Sequence, residues 1–363
     1  MKYFIIVGER SGDLHASWLV KAILTKDPTA EVIAYGGDMM QAAGAQILSH
    51  YKEGAFMGFL EVVRNLPAII RRMSQCKADI AAVSPDLLIL VDYPGFNLKM
   101  AAYAKGIGLK TAYYISPKIW AWKKGRIKAI RKFVDHMFVI FPFEVSFYDS
   151  LSYQVNYVGN PLVEQIGAYK PVPLDVSSGA FTKLVAFLPG SRSQEVKASE
   201  PYILELASAK PEYLFLVTQV DNLPDSTYNE MRGVSNIRLI IDRTYDCLSA
   251  ADVAIVTSGT ATLETALLGV PQVVCYKTSR LSYEIGKRLV DIKYISLVNL
   301  IADKVVVTEL IQDDYNTANV INHIDSLLHD TEERSKMVAE YQCIREQLGT
   351  ESASANVANA LAG

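Results

Sequence analysis

Short apolar, β-branched runs recur along this chain, and they hand over through loops of glycine, acidic or hydroxyl residues to segments of helical period. That alternation restricts the chain to parallel sheets, because a crossover helix returns the next strand in the same direction. The runs at 85–91 and 252–256 lack the polar alternation of a half-exposed strand and read as buried on both faces. Further strands are predicted at 2–7, 31–35, 110–115, 135–140 and 155–158, then at 183–188, 213–218, 237–241 and 272–276. Between the two sets lies a stretch, 167–182, with Pro171, Pro173 and Ser177-Ser178-Gly179, which reads as an interdomain linker. The expected class is therefore α/β, with two doubly wound Rossmann-like domains at 1–166 and 183–345 and a ligand cleft between them. The tail, 346–363, is expected to be a helix able to cross back to the first domain.

A length of 363 residues gives each domain enough chain for its own core. The net charge of -3 gives no support to a nucleic-acid partner. Cys76, Cys247, Cys275 and Cys343 stand far apart, and the histidines show no ligand spacing, so the cysteines read as reduced cytoplasmic thiols and no metal site is expected. No uncharged apolar run reaches the ~18 residues of a spanning helix, which leaves a soluble or peripheral protein.

The stretch from Val256 through Ser258, Gly259, Thr260, Ala261 and Thr262 to Glu264 joins a buried strand to a helix N-terminus. Unpaired backbone N–H groups and the helix dipole suit an anion there, and a diphosphate would fit. The competing reading is a hydroxyl that merely caps a buried helix. The loop after 183–188 repeats the arrangement and adds Arg192, whose forked guanidinium suits phosphate oxygens.

In the first half, Gly8-Glu9-Arg10-Ser11-Gly12-Asp13 turns from strand to helix but is not the G-x-G-x-x-G fingerprint, so a nicotinamide cofactor loses support. It reads either as a turn with a helix cap or as a cleft loop. Asp92 stands just beyond the 85–91 strand, where open α/β sheets bind ligands, and a partly desolvated carboxylate there suits a general base for a hydroxyl nucleophile. A simple turn acid before Pro94 is the alternative. Phe59, Val62, Val63, Leu66, Ile69, Ile70 and Met73 recur at helical steps beside Arg64, Arg71 and Arg72. They form either a core face or an interfacial helix whose arginines meet lipid phosphates. Trp120 and Trp122 beside Lys123, Lys124 and Arg126 stack on a substrate, rest at a membrane interface, or belong to a solvated basic helix.

Taken in order, the motifs resemble those of lipid A disaccharide synthases, inverting glycosyltransferases of the GT-B fold. They run Gly8-Glu9-x-Ser11-Gly12-Asp13, Met57-Gly58-x-x-Glu61-Val62, Asp92-x-Pro94-x-Phe96-Asn97, Ser116-Pro117-x-x-Trp120-Ala121-Trp122 and Phe141-Pro142-Phe143-Glu144. They continue with Val158-Gly159-x-Pro161-Leu162, Leu188-Pro189-Gly190-Ser191-Arg192, Ser258-Gly259-Thr260-Ala261-x-Leu263-Glu264 and Ser296-Leu297-x-Asn299.

The resemblance implies transfer of 2,3-diacylglucosamine from UDP-2,3-diacylglucosamine to the 6-hydroxyl of 2,3-diacylglucosamine 1-phosphate, giving a β(1→6) disaccharide and UDP. Asp92 matches the family's candidate base. Arg192, Ser258 to Thr262, Glu264 and Asn299 match residues that hold UDP or assemble its site. No metal or other cofactor is implied. Inner-membrane phospholipids join the two substrates as partners on the cytoplasmic face, and a homodimer is left open. Two departures stand out: Gly95 where many members carry a second acid, and Asn160 where a histidine is common. The rival readings are a UDP-N-acetylglucosamine 2-epimerase on the same fold and a non-catalytic sugar-nucleotide or lipid binder.

Overall fold

The structure is a computed structural model that describes residues 1–54, 66–176, 181–221, 223–290 and 292–362. It divides into two compact units, Met1–Glu164 with Leu348–Gly363 and Gln165–Gln347. The expected apolar positions Phe59, Val62 and Val63, the motif at 57–62 and the small residues 177–179 lie outside the described residues.

The first unit holds a parallel sheet in the order β3-β2-β1-β4-β5-β6-β7. Its strands are β1 (Lys2–Ile6), β2 (Glu31–Gly36), β3 (Gln46–His50), β4 (Leu87–Val91), β5 (Lys110–Tyr114), β6 (His136–Val139) and β7 (Asn156–Tyr157). The second unit repeats the plan in the order β10-β9-β8-β11-β12-β13. Here the strands are β8 (Lys183–Leu188), β9 (Tyr213–Gln219), β10 (Ile237–Ile241), β11 (Val253–Thr257), β12 (Gln272–Tyr276) and β13 (Thr308–Ile311). In each sheet the order reverses once, between β1 and β4 and between β8 and β11, and ligands of open α/β sheets bind outside the carboxyl ends of such a pair.

Burial explains why most strands were legible. All five residues of β4 are buried, and Leu88, Ile89 and Leu90 are wholly inaccessible, each worth about 1.5–3 kcal/mol on burial. The sequence pattern missed β3 and β13. Both are edge strands with half-exposed polar residues, so neither shows a continuous apolar run. Ser296 caps the helix Leu297–Ala302 by accepting from the Asn299 N–H.

Register places the site loops. Ile6 pairs with Leu90, so Gly8 and Asp92 leave the first sheet side by side. Val256 pairs with Leu188, so Ser258 and Gly190 do the same in the second. The terminal helix Ala353–Ala362 belongs to the first unit and packs on the helix Arg10–Lys26.

Candidate active site

At the first switch point, Gly8, Glu9, Gly12, Val91, Asp92, Tyr93 and Pro94 line a pocket of about 180 Å³. Gly8 is required by close approach: a Cβ there would stand 2.2 Å from the Tyr93 ring. Asp92 and Tyr93 both adopt the left-handed region, with φ of 44° and 49°. Such a conformation costs a non-glycine residue about 1–3 kcal/mol and persists only where the surroundings over-determine it. Here they do. The Asp92 N–H donates to the Tyr114 carbonyl at 3.1 Å, and the Asp92 carbonyl accepts from Tyr113 Oη at 2.5 Å and Asn97 Nδ2 at 2.8 Å.

This turn aims the Asp92 side chain into the pocket and strips most of its water. Burial pushes its pKa up to about 6, against the pull of Lys118 downward; Glu9 pushes it up and Arg126 draws it down. Such a carboxylate is ionised at neutral pH yet basic enough to accept a hydroxyl proton. The roles of Tyr113 and Asn97 escaped the sequence reading, because a buried polar residue on an otherwise apolar face carries no periodic signal.

The remaining loop residues divide. Glu9 lines the pocket and accepts from Ser11 Oγ at 2.6 Å. Asp13, expected to face the cleft, instead turns into the fold: its buried carboxylate accepts from the N–H groups of Gly37, Met39 and Met40 at 2.8, 3.1 and 3.3 Å. It caps the helix Asp38–Ala42, where negative charge meets the positive end of the dipole. Gly95 is exposed with open space where a Cβ would stand. Asn160 is buried and caps the helix Pro161–Ala168, accepting from the Leu162 N–H at 3.0 Å and donating to the Ile140 carbonyl at 3.1 Å.

The two tryptophans also part. Trp120 turns inward: its Nε1 donates to Glu144 Oε1 at 3.2 Å and its ring meets Phe143 edge-on. Glu144 is buried and also accepts from Ser116 Oγ and the N–H groups of Ile140 and Phe141, so it organises the whole turn. Trp122 stays 41% exposed, with Lys123 Nζ 4.2 Å and Arg126 Cζ 5.4 Å from its ring centroid. In the helix Leu66–Val83, Met73, Cys76 and Ile80 pack into the core, whereas Leu66 and Ile70 are 50% and 54% exposed and Ile69 is half-buried. Of the expected apolar positions that are described, Met73 packs on the core, Ile69 is half-buried, and Leu66 and Ile70 face outward.

In the second unit, Gly259 precedes the helix Thr260–Leu267, and no side chain among the described residues caps it. That removes the simple capping reading of Ser258 and Thr260. Ser258 Oγ donates to the Ile295 carbonyl at 2.8 Å, and buried Thr262 donates to the Gly259 carbonyl at 2.8 Å while accepting from the Leu297 N–H at 3.3 Å. Gly259 and Thr260 are exposed, and Ala261 is half-buried. The groups of this turn left facing outward are the N–H groups of the first turn and Thr260.

Asn299 is a fastener. Its Nδ2 donates to the Val307 carbonyl and Glu309 Oε1, both at 2.9 Å, and its Oδ1 accepts from the N–H groups of Val306 and Val307. Every polar position of that amide is filled from within, so it assembles the loop and presents nothing to a ligand.

Arg192 is engaged within its own loop. Glu195 Oε2 accepts from the N–H groups of Ser191 and Arg192 at 3.0 and 3.2 Å, and Arg192 Nη1 pairs with Glu195 Oε1 at 2.7 Å. The backbone donors of this loop are already occupied by a carboxylate, and the guanidinium is left 60% exposed. The glutamate three residues into a helix start was the readable signal.

The two parallel sheets, each with one reversal of strand order, define the class: an α/β protein of GT-B architecture. Among solved structures, the kitacinnamycin glycosyltransferase superposes with a TM-score of 0.71 at 11% identity, covering 99% of this chain and 98% of that one. The UDP-GlcNAc 2-epimerase from Neisseria meningitidis bound to UDP-GlcNAc gives 0.69 at 15% identity over the whole of both chains. At those identities the likeness concerns the fold.

Sequence narrows the class. Residues 3–362 match the family model described as Lipid-A-disaccharide synthetase. The lipid-A-disaccharide synthase of Geobacter sulfurreducens is 38% identical over 369 residues, spanning 98% of this chain and 95% of the relative. Lipid-A-disaccharide synthase 1 of Legionella pneumophila is 36% identical over 368 residues, spanning 97% and 94%. The chain belongs to the lipid-A-disaccharide synthetase family and is a glycosyltransferase of lipid A biosynthesis, taking a UDP-sugar donor and a glucosamine acceptor.

Proposed function

We propose that Asp92 is the general base of an inverting transfer from UDP-2,3-diacylglucosamine to the 6-hydroxyl of 2,3-diacylglucosamine 1-phosphate. The acceptor oxygen attacks the anomeric carbon, its proton passes to the Asp92 carboxylate, and the bond from that carbon to the UDP oxygen breaks with inversion. The observation that carries this reading is the half-buried Asp92 carboxylate at the carboxyl end of β4, held in a strained turn and lining the pocket.

On the second unit, the first-turn N–H groups at 260 and 261, Thr260 and the Arg192 guanidinium receive the diphosphate, and Glu264 receives the ribose hydroxyls. Fixed dipoles and a guanidinium stabilise the departing UDP by charge already in place. Lys118 and Arg126, whose charges reach Asp92, suit the acceptor's phosphate.

No helix among the described residues is long and apolar enough to cross a membrane. Leu66, Ile70 and Trp122, beside Arg71 and Lys123, support peripheral contact with the cytoplasmic face of the inner membrane, where acylated substrates reside. The test is incubation of the purified protein with both acylated substrates, followed by mass spectrometry. Disaccharide 1-phosphate and UDP in equal amounts are expected; a folded protein that releases neither would overturn the assignment. For the membrane contact, Leu66→Glu with Ile70→Glu is expected to release the folded protein from anionic vesicles, and undiminished vesicle binding would refute it.

A further inference from the structure

Glu264 is held by a neighbour outside every motif. Tyr245, in the helix Thr244–Ala250, donates its hydroxyl to Glu264 Oε1 at 2.8 Å. The carboxylate's other oxygen, Oε2, takes no hydrogen bond among the described residues, and the side chain is only half-buried. One oxygen is therefore anchored and the other is left to receive a ligand donor.

Tyr245 is braced in turn. The Tyr169 ring meets it edge-on with centroids 5.1 Å apart and planes at 83°. The Tyr169 hydroxyl bonds Asp246, which also accepts from the Val172 N–H and from Arg243 Nε, both at 2.7 Å. Arg243 closes the loop by donating from Nη2 to the Val172 carbonyl at 2.9 Å. All these residues lie in the second unit, and 169–172 belong to the segment on which the chain enters it.

We propose that Tyr245 is a positioning residue for the nucleotide: it fixes the Glu264 carboxylate for the ribose hydroxyls, while Tyr169, Asp246 and Arg243 fix Tyr245. The proposal rests on the reading of Glu264 as the ribose ligand. Burial raises the pKa of Glu264 and the bond from Tyr245 opposes that rise, so the tyrosine also favours the ionised form that two vicinal hydroxyls would bind.

The test measures UDP and inorganic pyrophosphate binding by calorimetry, together with donor and acceptor kinetics. Tyr245→Phe is expected to weaken UDP about 10-fold, as befits loss of a bond to a charged group, and to leave pyrophosphate within about twofold. Its donor KM rises while acceptor KM and kcat hold. Tyr169→Ala follows in the same direction, and Tyr169→Phe, which keeps the ring, recovers part of the loss. Equal weakening of UDP and pyrophosphate would overturn the proposal, since it would mean a general distortion of the loop. So would unchanged UDP binding in Tyr245→Phe alongside a loss in Glu264→Gln. If Glu264→Gln itself binds UDP normally, the ribose reading falls, and this proposal with it.

Discussion

The two units place loops at the same topological point and use them for opposite ends. At the end of β4, a strained turn forces a carboxylate out of water, and its burial raises its proton affinity. At the end of β11, Ser258 and Thr262 are spent on internal bonds, and Gly259 and Thr260 stand exposed at the helix start. The glycine-bearing loops beside them differ in the same sense. Gly8 makes room for the Tyr93 ring that shapes the acid's pocket, whereas Gly190, at φ +105°, makes room for a Glu195 that fills the loop's own donors. Topology thus fixes where a ligand can lie. The residues packed against the loop decide whether that place accepts a proton or binds an anion.

The contrast can be broken most severely at Gly8. A methyl 2.2 Å from the Tyr93 ring must displace it. Gly8→Ala is expected to lower kcat by about 100-fold, the usual cost of a reacting group displaced by an ångström, while calorimetry finds UDP binding intact. Arg192→Ala does the converse, weakening UDP about 10-fold through loss of a charge-assisted contact while leaving the pH dependence of kcat unchanged.

A subtler probe is the charge around Asp92. The proposed base role of Asp92 requires its ionised form, so kcat/KM should fall as pH drops through about 6. Lys118 draws that pKa down, and Lys118→Met is therefore expected to move the acid limb of kcat, read at saturating acceptor, upward, costing about threefold at pH 6.5. Stability has the reverse sense. The folded pKa lies above the unfolded value of 3.8, so the favourable contribution is complete below 3.8 and lost as pH rises through about 6. Asp92→Asn should accordingly raise Tm at neutral pH and leave it unchanged near pH 3, by differential scanning calorimetry. The smallest effect is expected at Gly95. With open space around it and a place in the first turn of the helix Pro94–Gly106, Gly95→Asp should gain a few tenths of a kcal/mol from the helix dipole, measured by urea titration.

Much of this was legible in the residues themselves. Continuous apolar runs announced the central strands, and Asp92 was placed by its position after one of them. The edge strands β3 and β13 were invisible because half-exposed strands need no apolar run. At the candidate sites, sequence marked the loops at the switch points but not which of their side chains turn inward. Asp13, Trp120 and Asn299 carry chemistry-bearing groups in matching motifs, yet each spends them inside the fold, on a helix cap, a buried glutamate and a loop clasp. Whether a polar side chain turns inward depends on partners distant in sequence, such as Met39, Glu144 and Val307, and no local pattern records them.

The division of labour between the units is tested most directly by one comparison, UDP affinity and disaccharide formation in Asp92→Asn. The expected result is native UDP affinity with turnover reduced by about 1,000-fold or more, within the range of a lost general base. Turnover at the native rate in that variant would show that the proton goes elsewhere and would remove Asp92 from the reaction.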